Sequence, residues 1–335
     1  MKRILKDKVI LITGGTGFLG QALTKEILKF NPKAIRIFSR DEAKHYRFQE
    51  SFGENKKLRN FVGDVRDYDR LKKAMQGCDI VIHAAALKRI DLIEYNVEES
   101  IKTNIFGTIN LVKAALQNNV KKVIFVSTDK ACLPVNSYGA GKFVSEKIMT
   151  ESNFNKGNSK TIFASVRYGN VIGSTGSVIP FFKKKIENGE DVPLTDPRMT
   201  RFSISPKQAV RLVFKAIKYS MGGEIFIPKL PSFKIVDLIN HLKKEADSTS
   251  KIKVIGLRPG EKLHELMVSE IEAPRTVEFD NTLVILSEIE KYQPKQKTYN
   301  YLKNCKRYAG KEFSSETGLL DAKQIESYFK KLKNQ

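Results

Sequence analysis

Between Val126 and Lys147 the chain reads VSTDKACLPVNSYGAGKFVSEK, which gathers a hydroxyl (Thr128), a carboxyl (Asp129), two amines (Lys130, Lys142) and a phenol (Tyr138) in a short stretch. Groups of these types perform general acid and base chemistry when their surroundings move their pKa values apart. Tyr138 and Lys142 are four residues apart, so on a helix they share a face, and an ammonium beside a phenol favours the phenolate. The expectation is a base next to a substrate hydroxyl. Lys121 to Val126 (KKVIFV) is a short apolar β-branched run that predicts a buried strand, with Ser127, Thr128, Asp129 and Lys130 at its carboxyl end. In open α/β sheets ligands bind at that edge, so Asp129 and Lys130 are expected beside any cofactor held there. Alone, the same patterns also describe a helix cap and an ordinary helical pair. Their chemical reading depends on a nucleotide-binding half upstream.

That half is present. Lys8 to Ile12 (KVILI) predicts a first strand, TGGTGFLG follows with Gly14, Gly17 and Gly20 three apart, and a helix is expected from about Gln21 to Phe30. Glycines let the backbone approach a pyrophosphate at the helix N-terminus, where unpaired N–H groups point outward, and Thr16 and Phe18 belong to the same loop. The second strand, Ala34 to Ser39, ends in Ser39-Arg40-Asp41, about twenty residues after the last glycine, where the adenosine ribose is read. Ser39 and Arg40 suit a 2′-phosphate, so NADP is expected rather than NAD; Asp41 paired with Arg40 at the surface is the competing reading. In LRNFVGDVRD, Asp64 and Val65 are expected at the adenine. Asp79 to His83 (DIVIH) predicts a fourth strand leading into Ala84, Ala85 and Ala86, small enough to lie against a cofactor, and to Lys88, within reach of a phosphate or sugar. Asn104, in the next helix, is counted with the cofactor contacts, and His83 reads as a packed histidine.

With 335 residues and 41% hydrophobic content the chain can bury a large core. Three cysteines without a C-x-x-C spacing suggest a reducing compartment, and no apolar run is long enough to span a bilayer, so a cytoplasmic protein is expected. The formal charge of +22 comes without basic blocks interleaved with aromatics, which argues for a lysine-rich solvated surface and against nucleic-acid binding. His264-Glu265 lacks the second histidine of a metal-binding helix, and no metal is expected. Thr161 to Val166 predicts a further strand whose continuation carries Arg167 and Asn170 into a loop beyond the sheet edge. Arg201, Arg258 and Glu261 lie in turn-rich polar segments expected to meet a substrate. The runs Asp247 to Lys251 and Gln293 to Lys297 read as loops. The fold class is α/β: a Rossmann-type doubly wound parallel sheet (1–172 and 203–230, NADP-binding) with a smaller C-terminal α/β substrate-binding region (173–202 and 231–335).

TGGTGFLG, GDVRD, HAAALK, STDKA, Y-G-A-G-K, RYGN, TRF and RPGEKLHE together resemble the extended short-chain dehydrogenase/reductase superfamily over nearly the whole chain. Within it they are similar to the soluble, inverting UDP-N-acetylglucosamine 4,6-dehydratases, which open the pseudaminic acid pathway or feed capsule sugars. Membrane-anchored relatives usually carry methionine where this chain has Tyr138. Two departures stand out: Gly141, where threonine is usual, and Cys132-Leu133, where alanine or valine and asparagine are usual.

The resemblance implies a mechanism. Tyr138 as phenolate takes the C4 hydroxyl proton of a UDP-sugar while NADP takes the hydride, and Thr128 orients the C4 oxygen. The ketone acidifies the C5 proton, which Lys130, neutral because cationic Lys142 is near, removes; Asp129, protonated by burial, releases the C6 hydroxyl as water. Hydride returns to C6 and C5 is reprotonated from the opposite face. Lys88, Asn170, Arg201, Arg258 and Glu261 are the expected substrate contacts, and the resemblance implies a homo-oligomer such as a hexamer. A C4-epimerase of the same superfamily is the alternative, and a non-catalytic NADP-sensing regulator a more distant one.

Overall fold

The computed structural model describes residues 1–174, 178–289 and 300–333; the run Gln293 to Lys297 lies outside them. Short β-branched runs form the strands β1 (Val9–Thr13), β2 (Ala34–Ser39), β3 (Leu58–Val62), β4 (Ile80–His83), β5 (Lys122–Val126) and β6 (Ile162–Val166). All five residues of β1 and all four of β4 are buried, as expected of strands covered on both faces. The order β3-β2-β1-β4-β5-β6 is parallel throughout, so the chain winds outward from β1 and then restarts on its other side. Ligands bind at the carboxyl edge of such a switch point, between β1 and β4.

Ile225–Pro228 continues the sheet parallel to β6, and the antiparallel hairpin Thr276–Phe279/Thr282–Ile285 follows it. That hairpin falls in the stretch assigned from sequence to the substrate region, yet it extends the main sheet. A separate apolar core, with Phe182, Leu194, Phe233, Leu238 and Ile325, does unite 178–199, 233–242 and 325–329 into a smaller unit. A three-stranded sheet of Asn170–Val171, Thr200–Ile204 and Ser232–Lys234 lies between the two.

Two packed helices follow β4 and β5. Ser137–Glu151 is started by Asn136, whose side chain accepts from Gly139 N, and its face packs on a helix that begins as a π-helical turn, Ile101–Phe106, and continues as Gly107–Gln117. π-turns inside helices are uncommon and concentrate near functional sites. Among the described residues no helix is long and apolar enough to cross a membrane.

Candidate active site

A cavity of about 2040 Å³ runs along the carboxyl edge of the sheet, from the glycine loop to the smaller unit. Pockets for a single small ligand are about 300–1,000 Å³, so this one has room for two. At one end Gly14 has φ +68°, and a Cβ there would lie 2.8 Å from Ala85 N, so the loop can pass β4 only as glycine. Gly17 caps Phe18–Leu28 with no side-chain bond, leaving the first N–H groups of that helix available to an anion. A Cβ on Gly20 would meet Gly15 O at 2.4 Å, which packs the helix hard against its own loop. Gly14, Thr16, Gly17, Phe18, Gly20, Ser39, Arg40, Asp64, Val65 and Ala84 to Ala86 all line the cavity. The expected cofactor residues are thus brought together, and the cradle fits a dinucleotide.

Four details differ from expectation. Asp41 does not pair with Arg40: it caps Glu42–Phe52 by accepting from Lys44 N, while Arg40 lies 3.8 Å from Asp64. Asp64 also takes a 2.8 Å bond from Arg66; against the effect of burial, that partner holds its carboxyl below the usual range. Lys44 and Arg47, unnoticed in the sequence, join Arg40 on the cavity wall. Asn104 is a bracket and not part of the wall: its amide exchanges two bonds with the backbone of Leu87 (2.9 and 3.0 Å), fixing the loop after Ala86. Arg167 does begin a loop after β6, but it is fully buried and clamps Glu146 and Glu272, tying the Tyr138 helix to the 266–275 segment.

The acid–base cluster sits where β5 ends. Asp129–Ala131 is a single 3₁₀ turn capped by Thr128, and the helix above it comes so close that a Cβ on Gly139 would meet Lys130 O at 2.3 Å. Lys130 Nζ lies 3.0 Å from Asp129 Oδ1 and 3.1 Å from Glu265 Oε1. Burial alone would push the amine down, but the two carboxyl groups outweigh it and hold the pKa above the ordinary lysine value. The two carboxyl groups thus act on Lys130 in the direction opposite to the lowering expected from Lys142. Burial raises the Asp129 carboxyl against the pull of Lys130. It does not line the cavity; Thr128 and Lys130, both hydrogen-bonded to it, do.

Tyr138 is also corrected. Burial pushes its phenol up to about 12, with Lys130 and the Thr128 hydroxyl pulling the other way. Lys142 does not supply the expected pull, because its Nζ donates to Val126 O at 2.8 Å and rests 4.4 Å over the Phe125 ring. Desolvation there lowers that amine to about 7. His83 is packed as expected, bonded to Thr13 Oγ1 at 2.6 Å, and burial lowers its pKa to about 3.

Lys88, Asn170, Arg201, Arg258 and Glu261 all reach the cavity wall. Arg201 is tied down there: it donates to the carbonyls of Thr200, Leu263 and Lys262 and lies 3.7 Å from Glu265. Glu265 is the residue that sequence reasoning missed. It lines the cavity, is buried, and faces Lys130 and Arg201, which hold its carboxyl below the usual range in spite of burial. The only sequence signal was a second acid in RPGEKLHE, read as a fragment of a metal motif. Several buried oxygens of the cluster lack partners, including Ser127 Oγ, Asp129 Oδ2, Glu261 Oε2 and Glu265 Oε2, as expected of atoms kept for a ligand.

Residues 10–287 match the family model described as polysaccharide biosynthesis protein. The chain belongs to that family. A UDP-N-acetylglucosamine 4,6-dehydratase (inverting) of Campylobacter jejuni is 49% identical over 289 residues, covering 86% of this chain and 85% of the relative. A UDP-glucose 4-epimerase of Rickettsia bellii is 42% identical over 279 residues, 82% of each chain. Among solved structures, Pen from Bacillus thuringiensis superposes with a TM-score of 0.90 at 37% identity and 99% coverage of both chains. This member of the polysaccharide biosynthesis family thus shares its whole fold with that solved protein and aligns over most of its length, at 42–49% identity, with enzymes named for nucleotide sugars.

Proposed function

We propose that the chain is an inverting UDP-N-acetylglucosamine 4,6-dehydratase that uses a nicotinamide dinucleotide, NADP in preference to NAD, and supplies a 4-keto-6-deoxy sugar to pseudaminic acid or capsule synthesis. The observation that carries this reading is Lys130 on the same cavity wall as Tyr138 with Asp129 paired directly behind it. A C4-epimerase needs a base and a hydride acceptor only; a carboxylic acid joined to an amine is chemistry for removing water across C5 and C6. The preference for NADP rests on Arg40, Lys44 and Arg47, which gather where a 2′-phosphate would lie, and on Asp41, whose carboxyl is committed to a helix N-terminus.

In this reading the Gly14–Gly20 loop, Ser39, Arg40 and the Ala84–Ala86 segment would hold a dinucleotide, which would supply the hydride chemistry at C4 and C6. Thr128 and Tyr138 receive the C4 hydroxyl; the Thr128 hydroxyl and the Lys130 charge are the two forces that favour the phenolate. Lys142, with its amine near neutrality, can take up or release a proton beside them. Lys130 removes the C5 proton. Asp129, whose carboxyl is raised by burial, is the proton donor for the C6 oxygen, and Thr128 and Lys130, which both donate to its Oδ1, hold it in place. Lys88 and Arg258 are the cations for the diphosphate.

The epimerase reading is kept because relatives at 42% identity carry that name. Incubation of the purified protein with UDP-N-acetylglucosamine, followed by mass spectrometry, tests the choice. A product lighter by one water is expected; unchanged mass with an altered C4 signal would replace the dehydratase by an epimerase. We also propose that copies associate through the exposed apolar residues Leu92, Phe106, Phe143 and Val144 on packed neighbouring helices, which light scattering would reveal as a mass above that of one chain.

A further inference from the structure

We infer that Glu265 is the positioning residue that receives the Lys130 proton and so turns a resting ammonium into the base for C5, an inference that rests on the dehydratase reading. The geometry is direct: Oε1 of Glu265 is 3.1 Å from Lys130 Nζ, and both groups lie in the cavity wall. Lys130 faces Asp129, Glu265, Arg201, Tyr138 and, further out, Lys262. Of the two carboxyl groups in contact with it, Asp129 lies behind the cavity wall with its Oδ1 already accepting from the Thr128 hydroxyl as well as from Lys130, whereas Glu265 lines the cavity, which leaves Glu265 as the acceptor. Its second oxygen is buried with no partner, so the carboxylate is incompletely solvated. Adding a proton there relieves that deficit. Arg201 and Lys262 oppose the transfer, but Arg201 is held by three backbone carbonyls and stays satisfied when Glu265 becomes neutral.

The proton balance closes. A bond from Lys130 nitrogen to hydrogen breaks as one from Glu265 oxygen to hydrogen forms, exchanging an ion pair for a neutral pair. A seated sugar expels water, and a neutral pair is favoured over an ion pair in a drier site. The C5 proton then goes to the Lys130 nitrogen, and its electron pair enters the enolate of the C4 ketone. The Asp129 proton leaves with the C6 oxygen as water. Lys130 is then charged again; a solvent-derived proton reaches C5 from the opposite face as hydride reaches C6, and Glu265 releases its proton to solvent, so the pair ends charged as it began. The carboxylate left on Asp129 is reprotonated with the proton that Tyr138 took from C4, through solvent.

Because this transfer is internal, C5 exchange should not require Lys130 to lose its proton to bulk water. The experiment measures deuterium incorporation at C5 against pH for the whole protein and for Glu265→Gln and Glu265→Asp, with melting temperature recorded for each. The wild type is expected to exchange at a constant rate from about pH 6 to pH 9. Glu265→Gln is expected to lose about 100-fold near neutrality and to regain rate about tenfold per pH unit, with Glu265→Asp restoring a flat profile. A wild-type rate that itself climbs with pH, or a Glu265→Gln profile as flat and fast as the wild type, would overturn the role. The wild-type arm does not depend on any variant folding. A wild type that leaves UDP-N-acetylglucosamine unchanged would instead defeat the dehydratase reading.

Discussion

Leu133 stands half-exposed just after the catalytic turn with φ +45°, in the left-handed region. A branched apolar side chain there is strained by about 1–2 kcal/mol, whereas asparagine adopts that conformation readily. Asparagine is also the residue that the family resemblance leads one to expect at this position. Leu133→Asn is therefore predicted to stabilise the protein by about 1 kcal/mol, read as a higher urea midpoint with turnover unchanged. Single residues were legible where chemistry and spacing coincide: Asp129, Lys130 and Tyr138 share one cavity rim or its immediate support. Charge states were not legible. The sequence shows that Lys142 is one helical turn from Tyr138, but not that the Val126 carbonyl and the Phe125 ring hold its ammonium elsewhere. Nor can spacing reveal that Glu265, 135 positions from Lys130 by subtraction, folds back against it.

At the scale of elements, two glycines of one helix have opposite meanings. A Cβ at Gly139 would collide with the Lys130 carbonyl, but at Gly141 its nearest neighbour would be Asn104 Cβ at 3.8 Å, an ordinary contact. Gly141→Ala should stabilise the helix by about 0.5–1 kcal/mol and leave turnover intact, while Gly139→Ala should shift the catalytic turn and depress turnover by about tenfold or more. Comparing melting and steady-state rates of the two variants separates these outcomes. The strands β1, β4 and β5 were readable because buried parallel strands are continuous apolar runs. The π-turn at Ile101–Phe106 was not, since it depends on packing against the Tyr138 helix. The hairpin at Thr276–Ile285 has the composition of a strand pair anywhere, and only its pairing with Ile225–Pro228 assigns it to the main sheet.

The molecule as a whole should be acid-labile in two stages. His83 is buried neutral, with its pKa lowered to about 3 by desolvation, so the unfolded chain binds the extra proton first and stability falls as pH drops below 6.5. Glu272 resists burial by pairing with Arg167, which lowers it to about 2, and its contribution is lost as pH falls from 4.5 toward that value. Denaturant titrations between pH 7 and pH 3 should show both losses, and His83→Gln should flatten the first. The net charge of +22 gives the same body a field that favours anionic sugar nucleotides, with Arg40, Lys44, Arg47, Lys88 and Arg258 carrying it into the cavity. Those cations, the cradle for a dinucleotide and the acid–base cluster lie along one sheet edge, and the account stands on their acting together at C4, C5 and C6 of one sugar. The most direct test is proton NMR of the product formed from UDP-N-acetylglucosamine in D₂O. Loss of one water with deuterium at C5 and inverted configuration there is the predicted result; a product that keeps its water and its C5 proton would contradict it.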